Sequence, residues 1–355
     1  MSQKNKKQKV LIIKLSSLGD VIFNLPLASV LKQNNIEVSW LVSEKGADVV
    51  SDNLLVDKVF LVPFEKWKKN KNILKNFIEF IKIIKSLREE HFDIALDTQM
   101  RLKSLFLNLL CGAKRRIIAK DCKEFSYLGA NEIIPNIREQ FNLHIVKCYL
   151  KFATHLGLDT KKYEVLLPES SCEVKSKVDL LLQTLDSKRQ TILIAPATTW
   201  QGKHWNKNHW KKLVEQLSSN YNIVFTGTNK DQELINYISE NRYLNLAGQT
   251  NLKELIEILN RIDLLISLDS GTTHLAWATQ KPKIISIFCC TPSTLYSPLG
   301  NCEKYIALQS DCCEPCHHKK CKKKTNKYNC TESPSVEKVL NAVNTLLIKE
   351  LDNAN

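Results

Sequence analysis

Short apolar runs rich in Val, Ile and Leu recur along the chain, separated by helix-length segments. In the first half the runs are Lys9–Lys14, Glu37–Ser43, Lys58–Pro63 and Phe92–Thr98, with a helix expected from about Asp20 to Gln33. Short β-branched runs alternating with helix-length segments predict a parallel sheet with crossover helices. The stretch 157–188 is polar and irregular, and the domain boundary is expected inside it. Beyond it the pattern restarts. Strands are expected at Thr191–Ala197, Asn222–Gly227, Leu264–Leu268 and Lys283–Phe288, and helices at His209–Ser219, Lys230–Glu240 and Leu252–Asn260. The tail Ser333–Glu350 starts at Ser-Pro and carries Val336, Val339, Leu340, Val343, Leu346 and Leu347 at helical spacing. The expected architecture is α/β: two Rossmann-like domains facing each other across a cleft, residues 1–165 and 166–332, with a closing helix in 333–355. Such sheets bind ligands at the carboxyl ends of their strands.

A length of 355 residues suits two domains, and 43% hydrophobic with 25% charged residues excludes a wholly disordered chain. The formal net charge is +14. That balance suggests an acidic partner: nucleic acid, an anionic membrane surface or a phosphorylated substrate. No helix-turn-helix, RNA-binding or zinc-finger signature supports nucleic acid, and none is expected as a partner. No segment approaches the ~20 apolar residues of a membrane span. The first apolar run ends at Ile13, where Lys14 intervenes. This is too short for a signal peptide, so the run reads as a first strand and the chain as cytoplasmic. In a reducing compartment the twelve Cys are thiols or metal ligands.

Three strand-end loops carry candidate chemistry. In the first, Ser16-Ser17-Leu18-Gly19-Asp20, Gly19 lets the backbone approach a ligand. Asp20 is either a helix N-cap or a general base. It is not a dinucleotide fingerprint, because GxGxxG is absent. The second follows the first strand of the second half and holds Thr198, Thr199, Gly202 and Lys203 before His204 and Trp205. It is either a phosphate-holding loop or a polar surface loop with Trp205 and Trp210 packed inward. In the third, Asp269-Ser270-Gly271-Thr272-Thr273-His274, a strand ends at Asp269 and a helix begins near Gly271. The amides of 271–273 would then form an anion site.

Together these loops resemble those of the bacterial heptosyltransferases of glycosyltransferase family 9. The family opens with Ser-x-x-Gly-Asp, as in Ser16 to Asp20. Its second domain opens with Thr-Thr and then Lys-His-Trp, as in Thr198-Thr199 and Lys203-His204-Trp205. Its late Asp-Ser/Thr-Gly-x-x-His turn matches Asp269, Ser270, Gly271 and His274, and Leu246–Leu252 matches Leu-x-Gly-x-Thr-x-Leu. Asp97-Thr98-Gln99 is similar to its Asp-x-Gln-Gly, with Met100 in place of the glycine. The resemblance runs from about residue 9 to 300. It implies the GT-B arrangement and an inverting transfer of heptose from ADP-heptose, without cofactor or catalytic metal. The pairing of the first two motifs is most similar to the branch whose acceptor is Kdo of Kdo-lipid A; a core heptose as acceptor, or nucleotide-sugar binding without turnover, stays open. In these terms Asp20 is the base and Lys203 stabilises the leaving diphosphate. Thr198, Thr199, Asp231, Asp269, Ser270, Gly271, Thr272, Thr273 and His274 join Lys203 on the donor side. Ser16, Ser17, Gly19, Gln99, Arg101 and Lys103 meet the acceptor.

Two segments remain. Phe64–Arg88 holds Lys66, Lys68, Lys69, Lys71, Lys75, Lys82, Lys85 and Arg88, with Ile73, Leu74, Phe77, Ile78, Ile81, Ile84 and Leu87 at helical spacing. It reads as a crossover helix with its apolar side on the sheet, and alternatively as a basic edge docking on an anionic bilayer, on the cytoplasmic face of the inner membrane. Cys313, Cys316, Cys321 and Cys330 supply four thiols beside His317 and His318, open to a structural zinc, free thiols or a disulfide. The six Lys from Lys319 to Lys327 read as a solvated loop.

Overall fold

The computed structural model describes residues 7–70, 72–138, 143–300 and 303–347. It divides into two units, Met1–Glu169 and Ser170–Asn355, with the division inside the stretch 157–188. The first unit holds β1 (Lys9–Ile13), β2 (Glu37–Ser43), β3 (Lys58–Val62), β4 (Ile94–Asp97), β5 (Arg115–Ala119) and β6 (Glu132–Ile134). They pair in the order β3-β2-β1-β4-β5-β6, all parallel. The second holds β7 (Thr191–Ala195), β8 (Asn222–Phe225), β9 (Leu244–Asn245), β10 (Leu264–Leu268), β11 (Lys283–Phe288) and β12 (Tyr305–Gln309). Their order, β12-β11-β10-β7-β8-β9, is the same winding repeated. In each sheet the winding reverses beside the first strand, between β1 and β4 and between β7 and β10. The carboxyl ends at such a reversal form a crevice that no crossover helix covers.

Val10 to Ile13 of β1 and Leu264 to Leu268 of β10 are buried on both faces, as central parallel strands covered by helices must be. Four strands carry no clear apolar run in the sequence. β5 opens on Arg115 and Arg116, β6 has three residues and β9 two, and β12 is a half-exposed edge. The expected helix from Asp20 to Gln33 is two helices, Leu18–Ile22 and Leu25–Gln33. Pro26, in the first turn of the second, cannot continue the first. The irregular stretch contains a helix, Cys172–Leu182, whose first turn Ser171 caps at 3.3 Å. The tail forms helix Val336–Leu347, which buries Val339, Val343 and Leu346 in the core of the second unit.

The Lys-rich stretch departs most from expectation. It forms two helices, Phe64–Lys69 and Ile73–Glu89, and in the second only Ile84 and Leu87 are fully buried. The sheet is therefore covered by the last turns of that helix, and its first turns hold apolar side chains in the open. Among the described residues no helix is long and apolar enough to cross a membrane.

The Leu246–Leu252 motif has a local structural explanation. Gly248 has φ +71, and a Cβ there would meet Asn229 Oδ1 at 1.7 Å. Asn251 then caps helix Leu252–Leu259, its Oδ1 accepting from the Glu254 amide at 2.9 Å, while Glu254 Oε2 accepts from the Asn251 amide at 2.9 Å. Gly248→Ala combines a left-handed backbone with overpacking, and should cost about 2–4 kcal/mol. Denaturant unfolding of the variant checks this, and an unchanged midpoint contradicts it.

Candidate active site

In the first unit the crevice is built around a buried lysine. Lys14 follows β1 and is 2% exposed. Its ammonium donates to Tyr149 Oη at 2.8 Å and to the Thr98 carbonyl at 3.0 Å, and stands 3.7 Å from Asp20 Oδ1. Tyr149, on helix Ile145–His155, donates its hydroxyl proton to Asp20 Oδ1 at 2.9 Å. Asp20 Oδ2 accepts from the amide of Ser17 at 3.2 Å and from its hydroxyl at 2.9 Å. The N-cap is thus Ser17, not Asp20. Asp20 is the third helical residue and closes a capping box.

The electrostatics follow from these contacts. Burial favours the neutral acid, but the charge of Lys14 and the hydrogen bonds from Tyr149 and Ser17 outweigh it and lower Asp20 to about 2. Burial lowers Lys14 to about 8 against the pull of Asp20. At neutral pH both groups are therefore charged. The Asp20 side chain keeps 35% of its surface open, so the carboxylate still faces solvent.

The remaining acceptor-side candidates split into support and surface. Gln99 is buried and its Oε1 accepts from the amides of Leu15 and Ser16, at 2.9 and 3.0 Å. Its carbonyl oxygen thus shapes the turn that carries Ser16. Lys103 donates to the Ser16 hydroxyl, and Gly19 lies buried in the first helical turn. Arg101 points to Glu124, 3.1 Å away, on the surface. Met100, which stands where the family pattern has glycine, has φ +54. A left-handed turn is what glycine serves best, and Met100 adopts it while remaining buried.

In the second unit the crevice lies between the ends of β7 and β10. Lys203 Nζ pairs with Asp269 Oδ2 at 2.6 Å and lies 4.6 Å from the centre of the Trp200 ring. Asp269 Oδ2 also accepts from the Thr291 hydroxyl at 2.6 Å, and His274 Nε2 is 3.4 Å from Oδ1. Burial opposes ionisation, but the His274 hydrogen bond and the Lys203 charge hold the Asp269 carboxyl well below the usual range. Both Asp269 oxygens therefore have protein partners. Thr198 donates to the Asp269 carbonyl at 3.3 Å, which ties the β7 loop to the end of β10.

Helix Gly271–Thr279 begins here with Ser270 as its N-cap, and the Ser270 side chain makes no capping bond. Its first-turn amides, of Gly271, Thr272 and Thr273, are those a helix leaves without an internal partner. The Thr273 hydroxyl is buried and donates to the Leu268 carbonyl, so that residue supports the turn from inside. Thr199 is exposed at the loop tip. Asp231 lies apart, after β8, where its Oδ2 accepts from the amide and hydroxyl of Thr228 at 2.7 and 2.8 Å as a second capping box. Trp205 and Trp210 do pack inward, 5.0 Å apart, so the buried-Trp reading and the Lys203 loop coexist.

The cysteines lie behind the Lys203 loop. Cys313, Cys316, Cys321 and Cys330 line one cavity with Cys290, His318 and Gly202. A Cβ on Gly202 would come 3.1 Å from Cys290 Sγ, so the cluster packs directly under the turn. The eleven described cysteines are free, and Cys302 lies outside the described residues. Among the described residues no group of three or more side chains is placed to hold a metal ion. Burial pushes the Cys290 thiol up to about 11 and Cys330 up to about 12, which keeps both neutral.

Lys14, Tyr149 and Thr291 are the site residues that sequence reasoning missed. Lys14 left a signal, a charge at the end of an otherwise apolar strand. Tyr149 is 129 residues from Asp20 and left none.

The profile of glycosyltransferase family 9 (heptosyltransferase) matches residues 80–327. The lipopolysaccharide core heptosyltransferase OpsX of Haemophilus influenzae is 24% identical over 312 residues, 84% of each chain. Lipopolysaccharide heptosyltransferase 1 of Campylobacter coli is 26% identical, over 84% of this chain and 89% of its own. Relatives of types 2 and 3 match as well. A structure of the heptosyltransferase WaaC of E. coli with ADP has the same fold, with a TM-score of 0.72 at 21% identity over 95% of this chain and 99% of its own. The chain belongs to glycosyltransferase family 9, the heptosyltransferase family.

Lys14→Met removes the charge that does most to lower Asp20, leaving burial opposed only by hydrogen bonds. The carboxyl then rises, and an acid limb enters the pH dependence of turnover between about pH 4 and about pH 7. In the wild type Asp20 adds no limb there, because it is already ionised above about 2. A variant profile that keeps the wild-type shape contradicts the assignment.

Proposed function

We propose, from the premise of family 9 membership, that the chain transfers L-glycero-D-manno-heptose from ADP-heptose to a Kdo residue of Kdo-lipid A, with inversion at the anomeric carbon. The observation that carries this reading is Asp20: an ionised, partly open carboxylate at the β1–β4 reversal, held by Lys14 and Tyr149. The acceptor hydroxyl attacks the anomeric carbon, its proton passes to Asp20, and the bond to the diphosphate breaks with its electron pair leaving on ADP. A carboxylate of low pKa suits this because the hydroxyl becomes acidic only as the new bond forms. Lys14 and Tyr149 are positioning residues that keep the base ionised and aimed.

The donor side is assigned to the second unit. The ammonium of Lys203 has three N–H groups; one meets Asp269, and the others can meet a diphosphate. The first-turn amides of helix Gly271–Thr279 add fixed donors for the charge that grows on the leaving group. Thr198, Thr199, Ser270 and Thr272 border that position. Asp269 orients Lys203 and His274. Asp231 is a weaker donor contact, since the Thr228 turn engages it. No Asp-x-Asp sequence occurs in the chain, which supports stabilising ADP by Lys203 and amides without a metal.

Mass spectrometry of products tests the reading. Incubation with ADP-heptose should add one heptosyl group to Kdo-lipid A. Extension only of an acceptor that already carries heptose would instead mark a type 2 or 3 enzyme, and extension of no acceptor would mark a nucleotide-sugar binder. Asp20→Asn should lower turnover by about 10²–10⁴ while ADP affinity stays nearly intact. Lys203→Ala should weaken both donor binding and the chemical step. Transfer should survive EDTA; immediate inhibition reversed by Mg²⁺ contradicts the metal-free route.

A further inference from the structure

Helix Ile73–Glu89 holds Leu74, Phe77, Ile78 and Ile81 at helical spacing on its outer side, with Leu74 69% and Phe77 58% exposed. Its inner side, at Ile83, Ile84 and Leu87, is already packed on the sheet, so the outer face is a second apolar face with no partner in the unit. Helix Leu102–Leu110, its neighbour, adds exposed Leu102 and Phe106. Apolar side chains seldom gather on a surface that only meets water.

The charge around this face is mostly of one sign. Residues 64–89 hold eight basic residues against three acids, Glu65, Glu79 and Glu89. Glu89 is exposed at the last residue of the helix, and the other two acids are engaged. Glu79 accepts from Lys66 and from Trp67 Nε1, each at 2.8 Å, and Glu65 pairs with Lys45 and Lys68, each at 3.2 Å. Lys75, Lys82 and Lys85 are exposed on the same helix. The rim is thus basic and the centre apolar, the combination that seats a helix in the headgroup layer of an anionic bilayer. A second copy of the chain fits poorly, because a two-fold interface would set lysine against lysine. Lys103, which bonds to Ser16, lies close enough to Lys68 and to Asp20 for both to act on its charge. The basic rim therefore reaches the turn that carries Asp20.

We infer that the outer face of helix Ile73–Glu89, with its lysine rim, docks the chain on an anionic lipid bilayer. The inference rests on the lipid-linked acceptor proposed above for its purpose: docking brings Asp20 to a substrate anchored in the same surface. The apolar side chains enter the headgroup boundary, and the lysines stay with the lipid phosphates.

Vesicle flotation of the full chain tests it. The chain should float with phosphatidylcholine vesicles containing one third phosphatidylglycerol, and not with phosphatidylcholine alone. The variant Leu74→Ser/Phe77→Ser/Ile81→Ser should lose binding by about tenfold or more, with transfer to a detergent-dispersed acceptor unchanged. Lys75→Gln/Lys82→Gln/Lys85→Gln should weaken binding and flatten its salt dependence, a second route that does not disturb the apolar residues. Equal flotation of wild type and the serine variant overturns the inference. So does a wild type that stays off vesicles but elutes as a dimer that the serine variant breaks. Vesicle binding without transfer to any acceptor leaves the docking face standing and removes the proposed reaction instead.

Discussion

A buried ion pair stands at the reversal of each sheet, and the rest of the site depends on which partner of the pair is turned outward. At the end of β1 the lysine is inside: Lys14 is 3% exposed in its side chain and Asp20 35%. At the ends of β7 and β10 the carboxylate is inside: Asp269 is 4% exposed and Lys203 16%. A charge removed from water must be paired and hydrogen-bonded or it neutralises. Each buried member therefore forces a partner to stay ionised at the mouth of its crevice. One winding, used twice, presents an anion in the first unit and a cation in the second. In the proposed transfer the acceptor hydroxyl gives its proton to the first, and the leaving diphosphate meets the second.

Each pair is supported by groups that touch no substrate in this account. Tyr149 and the Thr98 carbonyl hold Lys14, and Gln99 fixes the turn through two backbone amides. Thr291 and His274 hold Asp269, and the cysteine-lined cavity fills the space under Gly202. The capping box at Ser17–Asp20 makes one residue serve both the helix and the site. A helix start and a general base are alternatives when only the sequence is visible. In the folded chain the carboxylate of the capping box is also the proposed base, with one oxygen bonded to Ser17 and the other to Tyr149.

The winding was largely legible in the sequence because the central strands are apolar on both faces, as at Val10–Ile13 and Leu264–Leu268. β6, β9 and β12 were not, because short or edge strands need no continuous apolar run, and β5 was not because it opens on Arg115 and Arg116. Pro26 marked a helix break that the apolar periodicity alone concealed. The three loops were found by their position at strand ends, and each does lie at a reversal. Roles within them were harder to read. Gln99 Oε1 holds the turn through two amides, and both Asp269 oxygens have protein partners, which the sequence did not reveal. Partners distant in sequence, such as Tyr149 for Asp20, leave no local trace. The apolar periodicity of 73–87 predicted a helix correctly and its packing incorrectly, because periodicity reports a face and not what covers it.

The central claim is that Lys14 keeps Asp20 ionised at the mouth of the first crevice. Carbon-13 NMR of the Asp20 carboxyl group in the wild-type chain, followed from about pH 4 to about pH 7, tests this directly. The carboxyl should show the chemical shift of a carboxylate throughout, with no titration step of its own in that range. A midpoint for Asp20 inside the range would show that burial outweighs Lys14, and would contradict the account.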